Sequence, residues 1–124
     1  MTLNDLQGFW VLKDWQKEVK DHYRKPYSET EISGFLCYGS DSRMAVSLYE
    51  TSTGQLISTY GGAYEFDGEK ASHFPIEGYS PAGVREKKVR YLKVEGDRLD
   101  MSTPWLDGEE GPSRYLLTWQ RAYH

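Results

Sequence analysis

The stretch Arg43-Met44-Ala45-Val46-Ser47-Leu48 decides how this chain is read. Successive side chains of an extended strand point to opposite sides, so Met44, Val46 and Leu48 share one face and Ala45 and Ser47 the other. Turn signals bracket the stretch, at 39–42 before it and at Thr53-Gly54 after it. Further signals recur at roughly dozen-residue steps: Asp67-Gly68, 80–83, 95–97, and Asp107-Gly108 with Gly111-Pro112. Between them lie runs with strand composition at 9–19, 32–38, 43–51, 59–66, 70–79, 86–94, 98–103 and 114–122. In the last run Tyr115, Leu117, Trp119 and Arg121 fall on a common face. Beyond the first few residues no stretch has a helical period, and Asn4-Asp5 caps at most a short turn of helix before Gly8. An open meander of eight strands would leave two unpaired edges, and closure removes both. The expectation is therefore an all-β chain, one domain over 1–124, folded as an eight-stranded antiparallel up-and-down β-barrel. Such a barrel is just wide enough for its own side chains or one small ligand.

Composition supports this architecture and narrows the function. Ten Tyr, four Trp and four Phe in 124 residues suit a pleated, half-buried surface, and twelve Gly with five Pro supply the turns. Net charge is −4, with basic residues scattered among acidic ones, so a phosphate backbone finds little to grip and nucleic acid is not an expected partner. The densest basic run, Arg85 through Arg90, is bracketed by Glu86 and Glu95 and reads as a solvated strand face. Cys37 stands alone, so no internal disulfide forms; among Phe35, Leu36 and Tyr38 it reads as a small buried hydrophobe. The polar start of the chain and the lack of any run of 18 apolar residues lead to the expectation of a cytoplasmic protein with no membrane segment. No Cys/His cluster has metal spacing, no Gly-rich loop follows a strand, and no Ser-His-Asp arrangement is recognisable, so no metal and no cofactor are expected.

Gly8-Phe9-Trp10 near the start and Trp119-Gln120-Arg121 near the end resemble the Gly-x-Trp and terminal Arg of lipocalins and other calycins. That likeness implies a structural clamp, in which Arg121 packs over the indole of Trp10 at the closed end of the barrel. More specifically, the chain is similar to the lipocalin-like domain family. The similarity runs through Gly34-Phe35-Leu36-Cys37-Tyr38, Asp41 to Val46, Tyr60-Gly61-Gly62-Ala63-Tyr64-Glu65-Phe66-Asp67-Gly68, His73 with Pro81, Val89-Arg90-Tyr91, Glu95-Gly96-Asp97-Arg98-Leu99 and Leu117 to Arg121. It departs from that family in a short connection after the 43–51 run and in Phe74, where a second His is common.

His73 is the leading candidate for a site, because a mid-strand imidazole titrates near neutrality and can serve as acid or base. Alternation places Ala71, Pro75, Glu77 and Tyr79 on its face, although Pro75 is a residue of edges and bulges. Tyr38, Tyr60, Tyr64 and Arg90 form a second set, whose phenols and guanidinium can orient a carbonyl or carboxylate. Each has a plainer reading: a hydrogen-bonded structural His, tyrosines that merely pack, and an Arg90 ion pair with Glu65 or Glu77. The leading functional expectation is a barrel that binds a small, partly apolar or aromatic molecule through Tyr38, Tyr64, His73 and Arg90. The enzymatic alternative is a cofactor-free isomerase, cyclase or dehydratase with His73 as general base, and a third reading assigns the aromatic surplus to a homodimer face.

Overall fold

Chain order fixes the topology almost completely. The computed structural model describes residues 2–27, 30–79 and 86–123, without the side chain of Tyr123. The turn expected at 80–83, Pro81 and Arg85 lie outside the described residues. A short helix α1 (Leu3–Leu6) leads into β1 (Gly8–Val19), β2 (His22–Arg24), β3 (Ile32–Tyr38), β4 (Arg43–Glu50), β5 (Leu56–Phe66), β6 (Lys70–Tyr79), β7 (Lys88–Glu95), β8 (Arg98–Ser102) and β9 (Ser113–Tyr123). From β3 to β9 each strand pairs antiparallel with the next. Strand β1 pairs with β3 on one side and with β9 on the other, which closes an eight-stranded antiparallel barrel as expected.

The alternation predicted for residues 43–48 holds: Met44, Val46 and Leu48 are buried inside the barrel with Leu36, Tyr60, Leu92, Leu99, Met101, Leu117 and Trp119. At one end Trp10 and Leu6 are completely enclosed. The Trp10 indole N–H donates to the Leu6 carbonyl at 2.9 Å, and the Arg121 guanidinium lies 4.2 Å from the Trp10 ring centre. Arg121 also donates to the Gln7 and Asp5 carbonyls and pairs with Asp97 at 3.3 Å. The short helix is thereby bound across the barrel end as a plug.

Three local features depart from the sequence reading. The short strand β2 was not anticipated; it folds back on the far half of β1 through Lys20 and Asp21, both in the left-handed backbone region (φ 50° and 66°). A bulge in β6 leaves Ile76 unpaired opposite Gly61 and Gly62 and reverses the alternation beyond it. Ala71 and Pro75 do share the inward face with His73, but Glu77 and Tyr79 point out and are exposed, a correction to the simple count by twos. Gly78, at φ 140° against Tyr60, makes this possible, since a Cβ there would collide with the Thr59 carbonyl and the Tyr60 backbone. Finally, Cys37 lies on the outer face, half-buried, because Gly34, Leu36 and Tyr38 take the inner one.

Candidate functional site

The half of the barrel opposite the plug is not filled by its own side chains. It holds a cavity of about 290 Å3, walled by Trp15, Leu36, Val46, Leu48, Ile57, Met101, Leu117 and Trp119, with Tyr60, His73 and Arg90 on one side. Tyr27, in the segment after β2, lies over it with its ring 5.5 Å from that of Trp15. On the exposed surface Arg24 of β2 reaches Glu110, in the connection before β9, with both terminal nitrogens at 3.0 and 2.6 Å, while Lys17 stands 3.6 Å from the same carboxylate.

The polar side of the cavity is built from three neighbouring strands and β3. Tyr60 on β5, His73 on β6, and Lys88 and Arg90 on β7 all point inward; His73 lies opposite Lys88 and Tyr64 in register, and its ring reaches Tyr60 diagonally across the inner face. His73 is only 1% exposed. Its Nδ1 lies 2.8 Å from the Tyr60 hydroxyl and its Nε2 lies 2.6 Å from the Tyr38 hydroxyl, so both ring nitrogens are engaged by phenols. Burial, reinforced by the positive charges of Arg90 and Lys88, pushes the imidazole pKa down from 6.5 to about 3, and the ring is neutral at physiological pH. Burial likewise pushes the Tyr38 phenol well above its ordinary range and raises Tyr60, so both are protonated.

Proton counting then fixes the direction of the chain. A neutral imidazole has one N–H, so it donates to one phenol and accepts from the other. His73 is the hydrogen-bond partner of the Tyr38 hydroxyl, which is deeply enclosed. If Tyr38 accepted, its own proton would be buried without an acceptor, at a cost of about 1–3 kcal/mol. Tyr38 therefore donates to Nε2, Nδ1–H donates to Tyr60, and the Tyr60 proton is left to turn into the cavity that Tyr60 lines.

Arg90 lines the same cavity, half-buried, with its Nη1 donating to the Val89 carbonyl at 2.8 Å. Among the described residues no carboxylate lies within ion-pair distance of it. The expected partners are elsewhere: Glu65 and Glu77 are exposed, on the outside of the barrel. The basic run also needs correction, because Lys88 is buried, with its ammonium 5.6 Å from the Tyr60 ring centre, and among the described residues of the run only Glu86 and Lys87 are exposed. Alternation along β7 sends Lys88 and Arg90 inward with Leu92.

Of the residues singled out from sequence, His73, Arg90 and Tyr60 border the cavity. Tyr38 sits behind His73 as its support. The Tyr64 hydroxyl donates to the Gly39 carbonyl at 2.7 Å and its ring packs 4.8 Å from that of Tyr38, so it braces Tyr38 and does not border the cavity. Sequence reasoning did not single out Trp15, Tyr27 or Tyr115, which supply aromatic wall at the mouth. Tyr115 was legible through the alternation of its strand, whereas Tyr27 belongs to a segment with no strand pattern. The indole N–H groups of Trp15 and Trp119 are buried with no acceptor among the described residues.

Among the described residues no three metal-ligating side chains gather, and no helix is long and apolar enough to cross a membrane. No protein-family model matches the chain, and a search of curated proteins finds no match.

Proposed function

We propose that this chain is a lipocalin-like binding protein whose open half receives one small, partly apolar molecule. The observation that carries this reading is the cavity of about 290 Å3 inside a closed barrel, with mostly apolar walls and a few polar groups gathered on one side. Ligand sites of proteins have this character, and the volume falls near the lower end of their roughly 300–1,000 Å3 range, which suits a molecule of up to about three fused rings. The enzymatic alternative with His73 as general base is less well supported. Both imidazole nitrogens are occupied and the ring has a pKa of about 3, so His73 is a poor proton acceptor and serves better to aim the Tyr60 hydroxyl.

The test is a titration with the neutral fluorophore 1-aminoanthracene. The expected result is one saturable site per chain, with binding weakened at least about tenfold in Val46→Phe, where added bulk on the inner wall fills the space. Absence of binding, or unchanged binding in Val46→Phe, would refute the cavity reading.

A further inference from the structure

We propose that the natural occupant is an anion, specifically a small aromatic carboxylate, with its acid group held by Arg90 and the Tyr60 hydroxyl and its ring between Trp119 and the apolar wall. This rests on the cavity reading above and names the chemical class of its ligand.

Three observations converge on it. First, Arg90 brings a permanent positive charge to a mostly apolar cavity, and the described residues offer it only a backbone carbonyl. A half-buried charge without a counter-charge is costly, and a bound anion removes that cost. Second, the groups that face the cavity beside Arg90 lack negative charge: Tyr60 from β5, His73 from β6, Lys88 from β7 itself, Met101 from β8 and Thr103 just after it, with Tyr38 of β3 behind them. Third, the site is rich in donors and poor in acceptors. The Tyr60 proton is turned inward by the Tyr38–His73 relay, beside the N–H groups of the Arg90 guanidinium. A carboxylate accepts several such donors at once, and a guanidinium matches it in a two-pronged geometry. A neutral hydrocarbon would leave every one of these donors unsatisfied.

The experiment is displacement of bound 1-aminoanthracene by 2-naphthoate and by its neutral isostere 2-naphthamide, in the full chain and in Arg90→Met and Arg90→Lys. The expected result is that naphthoate displaces the probe at roughly tenfold or more lower concentration than naphthamide, the scale of a charge-assisted hydrogen bond. Arg90→Met abolishes that preference, read as the ratio of the two competitors' potencies within the variant whatever its own affinity for the probe, and Arg90→Lys retains part of it. Equal potency of the two competitors, or a naphthoate preference that survives in Arg90→Met, overturns the anion assignment and leaves the cavity reading standing. The cavity reading fails separately, on the neutral probe alone. Should Arg90→Met not fold, Arg90→Lys together with the wild-type preference decides the matter, since a preference unchanged by Arg90→Lys also contradicts the two-pronged contact.

Discussion

Two arginines point into this barrel, and their surroundings differ. Arg121, at the closed end, has a tryptophan face beneath it, two backbone carbonyls as acceptors and Asp97 as counter-ion. Arg90, in the open half, has one backbone carbonyl, no carboxylate partner among the described residues, and a buried lysine two positions before it on the same face. The indoles repeat the contrast: Trp10 donates to Leu6, whereas Trp15 and Trp119 find no acceptor. Although Arg121 Nε, 3.3 Å from Asp97, has no hydrogen-bond partner among the described residues, the closed end pairs its charge and most of its polar groups for the sake of closure. The other has kept them in reserve, and a group kept in reserve at a cost in stability points to a ligand.

The largest effect that would sharpen this contrast is expected at the closed end. Trp10→Ala removes a fully buried indole together with the seat of Arg121, and should lower unfolding free energy by about 3–5 kcal/mol in urea denaturation. A loss below about 1 kcal/mol would mean that the plug is not a main source of stability. Next comes the relay. Tyr38→Phe leaves His73 Nε2 buried without a donor and should cost about 1–3 kcal/mol, more than Tyr60→Phe, whose orphaned Nδ1–H lies beside the cavity. The reverse order would assign the opposite tautomer.

The pH dependence follows from the same histidine. Its folded-state pKa is depressed to about 3 from 6.5, so below pH 6.5 the unfolded chain takes up a proton that the folded one refuses. Stability is full above pH 6.5 and is lost as pH falls toward about 3, with a slope near 1.4 kcal/mol per pH unit at most. Denaturation midpoints at pH 6.5 and 5.5 should reveal this loss, and His73→Gln should flatten the slope; an equal slope in the variant would dismiss the histidine as its source. The smallest effect is expected at Arg90. In the ligand-free protein Arg90→Met should change stability by no more than about 0.5 kcal/mol or should raise it, because the cation is not compensated. A loss of 2 kcal/mol would make Arg90 a structural residue like Arg121.

The barrel was legible because its information is local and periodic. The runs at 32–38 and 70–79 coincide with β3 and β6, and the alternation around Val46 reports the true inner face. The clamp of Trp10 and Arg121 was reached by resemblance, and the geometry bears it out. What escaped the sequence are breaks in period. Strand β2 is three polar residues joined through Lys20 and Asp21, which lack the glycine or asparagine that normally announces a left-handed turn. The bulge at Ile76 flips Glu77 and Tyr79 outward, and Pro75 gave only a hint of it. Individual site residues were partly legible: His73 and Arg90 stand out by type and face. Which tyrosine reaches the cavity depends on strand register and barrel depth, which put Tyr60 at the wall and turn Tyr64 toward Gly39.

The most direct measurement is a nitrogen–proton correlation spectrum of the four tryptophan indoles during titration with 2-naphthoate. The account predicts that the Trp15 and Trp119 signals move and saturate together while Trp10, held to Leu6 at the closed end, stays in place. Movement of Trp10 alone, or no movement at Trp15 and Trp119 at saturating naphthoate, would contradict it.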